Sequence, residues 1–280
     1  MTDAAVRPDV APGAEPERPW GIGELVDQLR ALGVRDGEVL LVQASLRAIG
    51  PVVEGAIGVA KALVEALGVR GTLVVYTATP ENSRTSPYYR AATAGLTPTQ
   101  LEKYHRQMPA WDRDRTPASP TMGHLAEVVR RWPGARRSAH PQTSFAALGP
   151  AAEELTAVHA LSCHLGDESP VGWLYRNGAR SLMLGAPMRH CTCLHLLEYW
   201  QPDRPEQVYT CVRRTAAAER KVEAFTATRL DDTHFEKMGE MLGQDLASLR
   251  RSRVGRADSV LLPIREAVDL AAKWFPNRCS

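Results

Sequence analysis

The stretch Ser181–Trp200 reads SLMLGAPMRHCTCLHLLEYW, and its reading decides the fold. Its apolar opening stops at Gly185 and Pro187. A run that short, bounded by breakers, predicts a buried strand of a parallel sheet over Arg180–Ala186 rather than a helix. Past Arg189, His190 and Cys191, the apolar positions Leu194, Leu197 and Tyr199 mark the opening turn of a helix, with Thr192 as its N-cap. Thr192, His195 and Glu198 are spaced i, i+3, i+6, so a hydroxyl, an imidazole and a carboxylate share one helical face. They stand just past the C-terminal end of a strand, where open α/β sheets bind their ligands.

Outward from this stretch the same alternation recurs. Ile22, Leu25, Val26, Leu29 and Leu32 predict a helix ending at Gly33, and Val39–Val42 a buried strand. Ile57–Leu67 is a second amphipathic helix and Thr72–Thr77 a second strand, which makes a βαβ unit with a parallel crossover. Ala78–Pro120 is the least regular part, with one helix capped by Thr97 and opened by Pro98. Ser119-Pro120 caps a helix through Trp132, Ala151–His159 is short and helical, and Ser169 caps Val171–Arg176. Val208–Arg214 and Lys221–Thr228 read as a hairpin, Thr233 with Glu236 as a capping box, Arg256–Leu262 as an edge strand and Ile264–Phe275 as the closing helix. The fold class is therefore α/β: a mixed, mostly parallel central sheet flanked by helices in three layers, with a small antiparallel hairpin insertion. Met1–Arg18 reads as a disordered tail and residues 19–280 as one domain.

Composition narrows the function classes. Net charge is +2 from nearly balanced acids and bases, which points away from nucleic acid. No apolar run approaches the ~20 residues of a membrane span and no signal-peptide core is present. Five cysteines without framework spacing read as reduced thiols, placing the chain in the cytoplasm.

Imidazole is the side chain that accepts and returns a proton near neutrality, and Glu198 beside it would orient the ring and stabilise the imidazolium. The bland alternative for His195 is a half-buried helix residue bonded to a carbonyl. Val53-Glu54-Gly55-Ala56 opens a helix and is a candidate anion site, since glycine permits close approach and first-turn amides point outward. Asp167 and Glu168 precede a helix N-terminus, where they either complement its dipole or face a cationic ligand. Cys163, His164, His190, Cys191, Cys193 and His195 make a soft-ligand set, but the local order is not that of a zinc knuckle, and no metal is expected.

Three ordered blocks carry a resemblance over about Trp20–Trp274. They are VQASLRAIGPVVEGAIGVAKALVEALGVRGTLVVYT (Val42–Thr77), MGHLAEVVRRWPGARRSAHPQTSFAALG (Met122–Gly149), and LMLGAP followed by TCLHLLE (Leu182–Glu198). The chain resembles the aminoglycoside 3-N-acetyltransferase (antibiotic N-acetyltransferase) family. The resemblance implies acetyl transfer from acetyl-CoA to the 3-amino group of the 2-deoxystreptamine ring of an aminoglycoside, an antibiotic-resistance activity. His195 would then be the general base, Glu198 its support, and the Thr192 hydroxyl or a first-turn amide the donor to the oxyanion. It implies coenzyme contacts at Ser45, Leu46 and Arg47, at Val53, Gly55 and Ala56 against the pyrophosphate, and at Ser144 and Phe145 near the thiol. Asp112 matches the family's acid before T-P, and Asp231 and Asp232 its pair before H-F. With Asp167 and Glu168 these acids are candidates to hold substrate amines, and His234 is a secondary candidate. The chain departs from the family at Gln43, Glu54 and Cys191. Competing readings are an acyl-CoA-dependent N-acyltransferase of another amine-bearing natural product, a zinc hydrolase, and a binding protein retaining only the coenzyme pocket. The partner expected is an aminoglycoside or related polyamine, with a homodimer as the candidate assembly.

Overall fold

The computed structural model describes residues 18–215 and 217–275. The tail expected over Met1–Arg18 lies outside the described residues except for Arg18, which pairs with Glu24 at 2.5 Å.

Helix α1 (Ile22–Leu32) buries Leu25, Val26, Leu29 and Leu32, and Gly33 closes it as expected. Strand β1 (Val39–Ala44), the short helix α2 (Leu46–Ile49), α3 (Ala56–Leu67) and β2 (Thr72–Tyr76) follow. β1 and β2 pair in parallel, Leu41 opposite Val74, which realises the βαβ unit. The irregular stretch holds two helices, α4 (Pro87–Thr93) and α5 (Pro98–Gln107), with Thr97 capping the second. Next come α6 (Gly123–Arg130), β3 (Arg136–Arg137), β4 (Phe145–Leu148), α7 (Ala152–Ala157), α8 (Pro170–Arg176), β5 (Arg180–Leu184) and α9 (Leu196–Tyr199). The chain closes with β6 (Glu206–Arg214), β7 (Arg220–Thr228), α10 (Phe235–Asp245), β8 (Arg250–Val254), β9 (Ala257–Pro263) and α11 (Ile264–Ala272).

Seven strands form one mixed sheet in the order β3-β4-β2-β1-β5-β9-β8. Period-two alternation sends Leu40 and Val42 into the layer made by α1, α3 and α6, and Leu41 into the opposite layer with Leu155, Leu174, Leu242 and Val268. The sheet is thus covered on both faces, and each fully buried leucine contributes about 1.5–3 kcal/mol. Parallel pairing is confined to the centre, β2-β1-β5, and the pairings outside it are antiparallel. The expectation of a mostly parallel sheet was too broad. β8 and β9 are joined by the short turn Val254–Ala257 and β3 and β4 by residues 138–144, and connections that short permit only antiparallel neighbours. The edge strand also moves. β8 is the edge and β9 lies inside it, because Arg250–Val254 carries three arginines and a serine and shows no apolar alternation.

β6 and β7 form a separate hairpin in register from Glu206↔Thr228 to Arg214↔Arg220. The buried Asn82 side chain ties it to the main body, donating to the Val212 carbonyl at 2.6 Å and accepting its amide at 2.7 Å.

Candidate active site

β1, β2 and β5 point their C-terminal ends at one cleft of about 300 Å³, whose walls include Gln43, Tyr76, Met122, Thr192, His195 and Asp232. Gly185 makes this possible. At φ +67° an added Cβ would lie 2.7 Å from the Cβ of Ala48, so only glycine lets the chain leave β5 this close to α2. The chain then folds back over the sheet end in two 3₁₀ turns, Met188–His190 and Thr192–His195.

His195 lines the cleft while Glu198 lies behind it, 5% exposed. Nδ1 of His195 is 3.2 Å from both carboxylate oxygens of Glu198. Glu198 Oε1 also accepts the Asp231 amide at 2.9 Å, so the carboxylate is held from two sides. An ionised carboxylate only accepts hydrogen bonds, which assigns the ring proton to Nδ1 and leaves Nε2 as the basic nitrogen. Phe235 packs against the imidazole with ring centroids 4.6 Å apart.

Thr192 does not cap a helix. Cys191 occupies the N-cap position, and the Thr192 hydroxyl accepts from Gln43 Nε2 at 2.9 Å while donating to the His190 carbonyl at 3.3 Å. Ser181 donates to Gln43 Oε1 at 3.3 Å, which fixes the amide with its nitrogen towards Thr192. Gln43 is thus part of the wall, brought to Thr192 from β1 by the β1–β5 register. Its sequence signals were a polar residue near the end of the apolar strand VLLVQA and a departure from the family's pattern at that position.

The candidate anion site is open. Nothing lies within 4 Å of a Cβ added at Gly55, and α3 begins at the next residue. Glu54 is bonded through both oxygens to Lys61 at 2.9 and 2.6 Å, so its charge is neutralised one turn into α3. Ser45 caps α2 by accepting the Ala48 amide, Leu46 packs against the core and Arg47 is exposed. A groove of about 620 Å³ runs from Ile57 along His124, Glu127, Arg131 and Trp132. It reaches Pro120 and Gly123, and Thr121 and Met122 between them line the His195 cleft. His124 and Arg131 escaped sequence reading, since they look like solvated residues of the helix, and Trp132 reads as the end of that helix. The open first turn fits a pyrophosphate, and the adjoining groove, with Arg131 and Trp132 beside Glu127, has room for its pendant groups.

Other expected residues sit elsewhere. Ser144 and Phe145 are fully buried. The Ser144 hydroxyl accepts from Arg137 Nε at 2.9 Å and contacts the Thr77 carbonyl at 3.0 Å, so these two residues brace the sheet and line no described cavity. Burial pushes Arg137 down to about 9. Asp112 lies in a different cavity, with Trp111 and Glu81. Its carboxylate accepts the Arg115 amide and then that of Asp114, which holds it below its ordinary value. Asp167 accepts from Trp200 Nε1 at 3.3 Å, Glu168 is exposed, and neither lines the cleft. Asp231 accepts the Thr233 amide at 3.0 Å, and only Asp232 of the five acids lines the cleft. The capping box is not formed: α10 starts at Phe235 with exposed His234 as N-cap, and Glu236 accepts from the Arg189 amide at 3.3 Å.

Cys191 and Cys193 sit fully buried with sulfurs 3.5 Å apart, and that contact, with burial, pushes the Cys193 thiol well above its ordinary value. Among the described residues no three His, Cys, Asp or Glu side chains converge as metal ligands. Nor is any helix there long and apolar enough to cross a membrane.

The family profile described as aminoglycoside 3-N-acetyltransferase matches residues 41–276. The chain belongs to that family. It is accordingly an N-acetyltransferase with acetyl-CoA as co-substrate. It is 31% identical over 263 residues to the SPbeta prophage-derived aminoglycoside N(3')-acetyltransferase-like protein YokD of Bacillus subtilis (strain 168), covering 91% of this chain and 92% of YokD. The YokD crystal structure superposes with a TM-score of 0.87 at 29% identity, covering 94% of this chain and 95% of that one. AAC-IIIb, solved with CoASH, gives a TM-score of 0.80 at 26% identity, covering 93% of this chain and 98% of that one. AAC-VIa bound to sisomicin also gives 0.80, at 29% identity, covering 93% and 99%.

Proposed function

We propose that this chain transfers the acetyl group of acetyl-CoA to the 3-amino group of the 2-deoxystreptamine ring of an aminoglycoside, with His195 as general base. The observation that carries the reading is the His195–Glu198 pair, held at 3.2 Å in the wall of the cleft where the parallel strands end. The co-substrate supplies an acyl group activated as a thioester. An ammonium is not a nucleophile, so a side chain must take a proton from the attacking nitrogen. Nε2 of His195 does this, and Glu198 stabilises the imidazolium that results. The Thr192 hydroxyl, by exchanging the His190 carbonyl for the acyl oxygen, and the second Nε2 hydrogen of Gln43 are the donors on the same wall as negative charge develops there. Gly55, Ala56 and the first turn of α3 hold the pyrophosphate, with Val53, Ser45, Leu46 and Arg47 beside it. Asp232 holds a further substrate amine. Residues 19–280 act as one cytoplasmic domain, and the biological outcome is antibiotic resistance. A homodimer is the assembly to test by light scattering.

One observation favours a second reading, transfer to another amine-bearing natural product. Among the described residues Asp232 is the only carboxylate lining the cleft, and Arg189 lines it too. A polycation finds little charge to pair with there.

Thiol release from acetyl-CoA, measured across aminoglycosides and other amines, separates the two. Product NMR showing acetylation at N3 supports the first. Release only with other amines supports the second, and no release with any amine sinks both.

A further inference from the structure

The groove of about 620 Å³ follows α6, an eight-residue helix that rises about 12 Å. Gly123 and His124 stand at the end next to the His195 cleft, and Arg131 and Trp132 just past the far end. Ile57, in the first turn of α3, lines the same groove and is 45% exposed. A thioester at His195, a pyrophosphate at the first turn of α3 and a nucleoside beside Trp132 would thus lie along one continuous path.

The ionisable groups of this wall are unequally engaged. Glu127 accepts from Arg130 at 2.6 Å through Oε1 and at 2.8 Å through Oε2, and Oε2 also accepts the Ala118 amide at 2.9 Å. Its negative charge is therefore matched within the protein. The exposed Arg131 has no hydrogen-bond or ion-pair partner for its guanidinium among the described residues. That leaves Arg131 as the unmatched charge of the groove, with exposed His124 the other titratable group lining it among those residues. Trp132 is half-buried, packed against the core yet still lining the groove.

We infer that Arg131 pairs with the 3′-phosphate of coenzyme A while Trp132 stacks on its adenine, so that Arg131 sets a preference for the coenzyme over its 3′-dephospho form. A guanidinium presents a planar fork of N–H donors that matches phosphate oxygens, and a purine offers its π-face to an indole. Arg131 is exposed to solvent, so salt screens the phosphate contact and leaves the stacking largely intact. The inference rests on the proposed seat of the pyrophosphate at Gly55 and Ala56, and adds the adenosine end to it.

The test is calorimetric titration of the full chain with coenzyme A and with 3′-dephospho-coenzyme A. At low salt coenzyme A should bind about 5-fold or more tightly, and at about 0.5 M salt the advantage should shrink. Arg131→Gln should bring the two ligands within about 2-fold of each other by weakening coenzyme A alone, and Arg131→Lys should keep part of the difference. Trp132→Leu should weaken both ligands by the same factor, about 5-fold or more, and Trp132→Phe by less. Equal binding of the two ligands by the parent overturns the Arg131 assignment, as does a preference that survives Arg131→Gln. Unchanged affinity in Trp132→Leu overturns the stacking. Arg131 is exposed, so its variants read the phosphate contact whatever Trp132→Leu does to the fold. Thiol release from acetyl-CoA is read separately. An Arg131-dependent preference without release to any amine overturns acetyl transfer at His195 while upholding the phosphate contact, and release without the preference does the reverse.

Discussion

His195 Nδ1 lies 3.2 Å from both carboxylate oxygens of Glu198, and Glu198 in turn receives the Asp231 amide at 2.9 Å. The carboxylate is therefore fixed before any ligand arrives, and the ring presents Nε2. Glu198→Gln keeps the shape and removes the charge that stabilises an imidazolium. It should lower kcat by about 10–100-fold with little change in the KM for acetyl-CoA. Unchanged kcat would mean the carboxylate only positions the loop.

Glu54 and Lys61 bear on coenzyme affinity. Lys61 holds the Glu54 carboxylate through both oxygens at the mouth of the open α3 turn. Lys61→Met frees a negative charge beside the pyrophosphate and should raise the KM for acetyl-CoA about 3–10-fold at low salt, less at 0.5 M. Glu54→Gly added to that variant should restore it. A KM insensitive to both changes would move the pyrophosphate elsewhere.

Ser144 is structural on this account. Ser144→Ala leaves the buried Arg137 Nε without its 2.9 Å partner and should cost about 1–3 kcal/mol in denaturant melts. The KM for acetyl-CoA should not move. A raised KM with intact stability would return Ser144 to the coenzyme site.

Acid lability follows from three core histidines. His140 packs on His159 and on His164 at 4.7 Å between ring centroids. Burial holds His140 well below its ordinary value, His159 at about 4 and His164 at about 3, with neighbouring imidazoles adding to the effect on His140 and His164. Unfolded, each titrates near 6.5, so between those values the unfolded chain binds more protons. Stability is therefore present in full above about pH 6.5 and lost as pH falls, by about 1.4 kcal/mol per pH unit for each histidine. Melts from pH 7 to 5 should show this, and His159→Gln should flatten the slope. A stability flat over that range would contradict the assignment.

The βαβ core was legible because Val39–Val42 and Thr72–Tyr76 are apolar runs bounded by breakers, with an amphipathic helix between them. β8 was not, because Arg250–Val254 gains its strand from pairing with β9 and not from its own pattern. At the site, the i, i+3 spacing of His195 and Glu198 survived because one helical turn suffices to make the contact. Thr192 was read as a cap because that is a local rule, yet its hydroxyl is claimed by Gln43, 149 residues away. The Thr233–Glu236 box failed for the same reason, each residue drawn to a partner outside it. Counting carboxylates near the right blocks over-collected, since only the fold decides that Asp232 faces the cleft and Asp112 does not.

The most direct measurement is single-turnover acetyl transfer by His195→Ala beside calorimetric binding of acetyl-CoA to the same variant. The account predicts turnover reduced by about 100–10,000-fold with coenzyme affinity within about 2-fold of the parent. Turnover within a few-fold of the parent, with the coenzyme still bound, would contradict it.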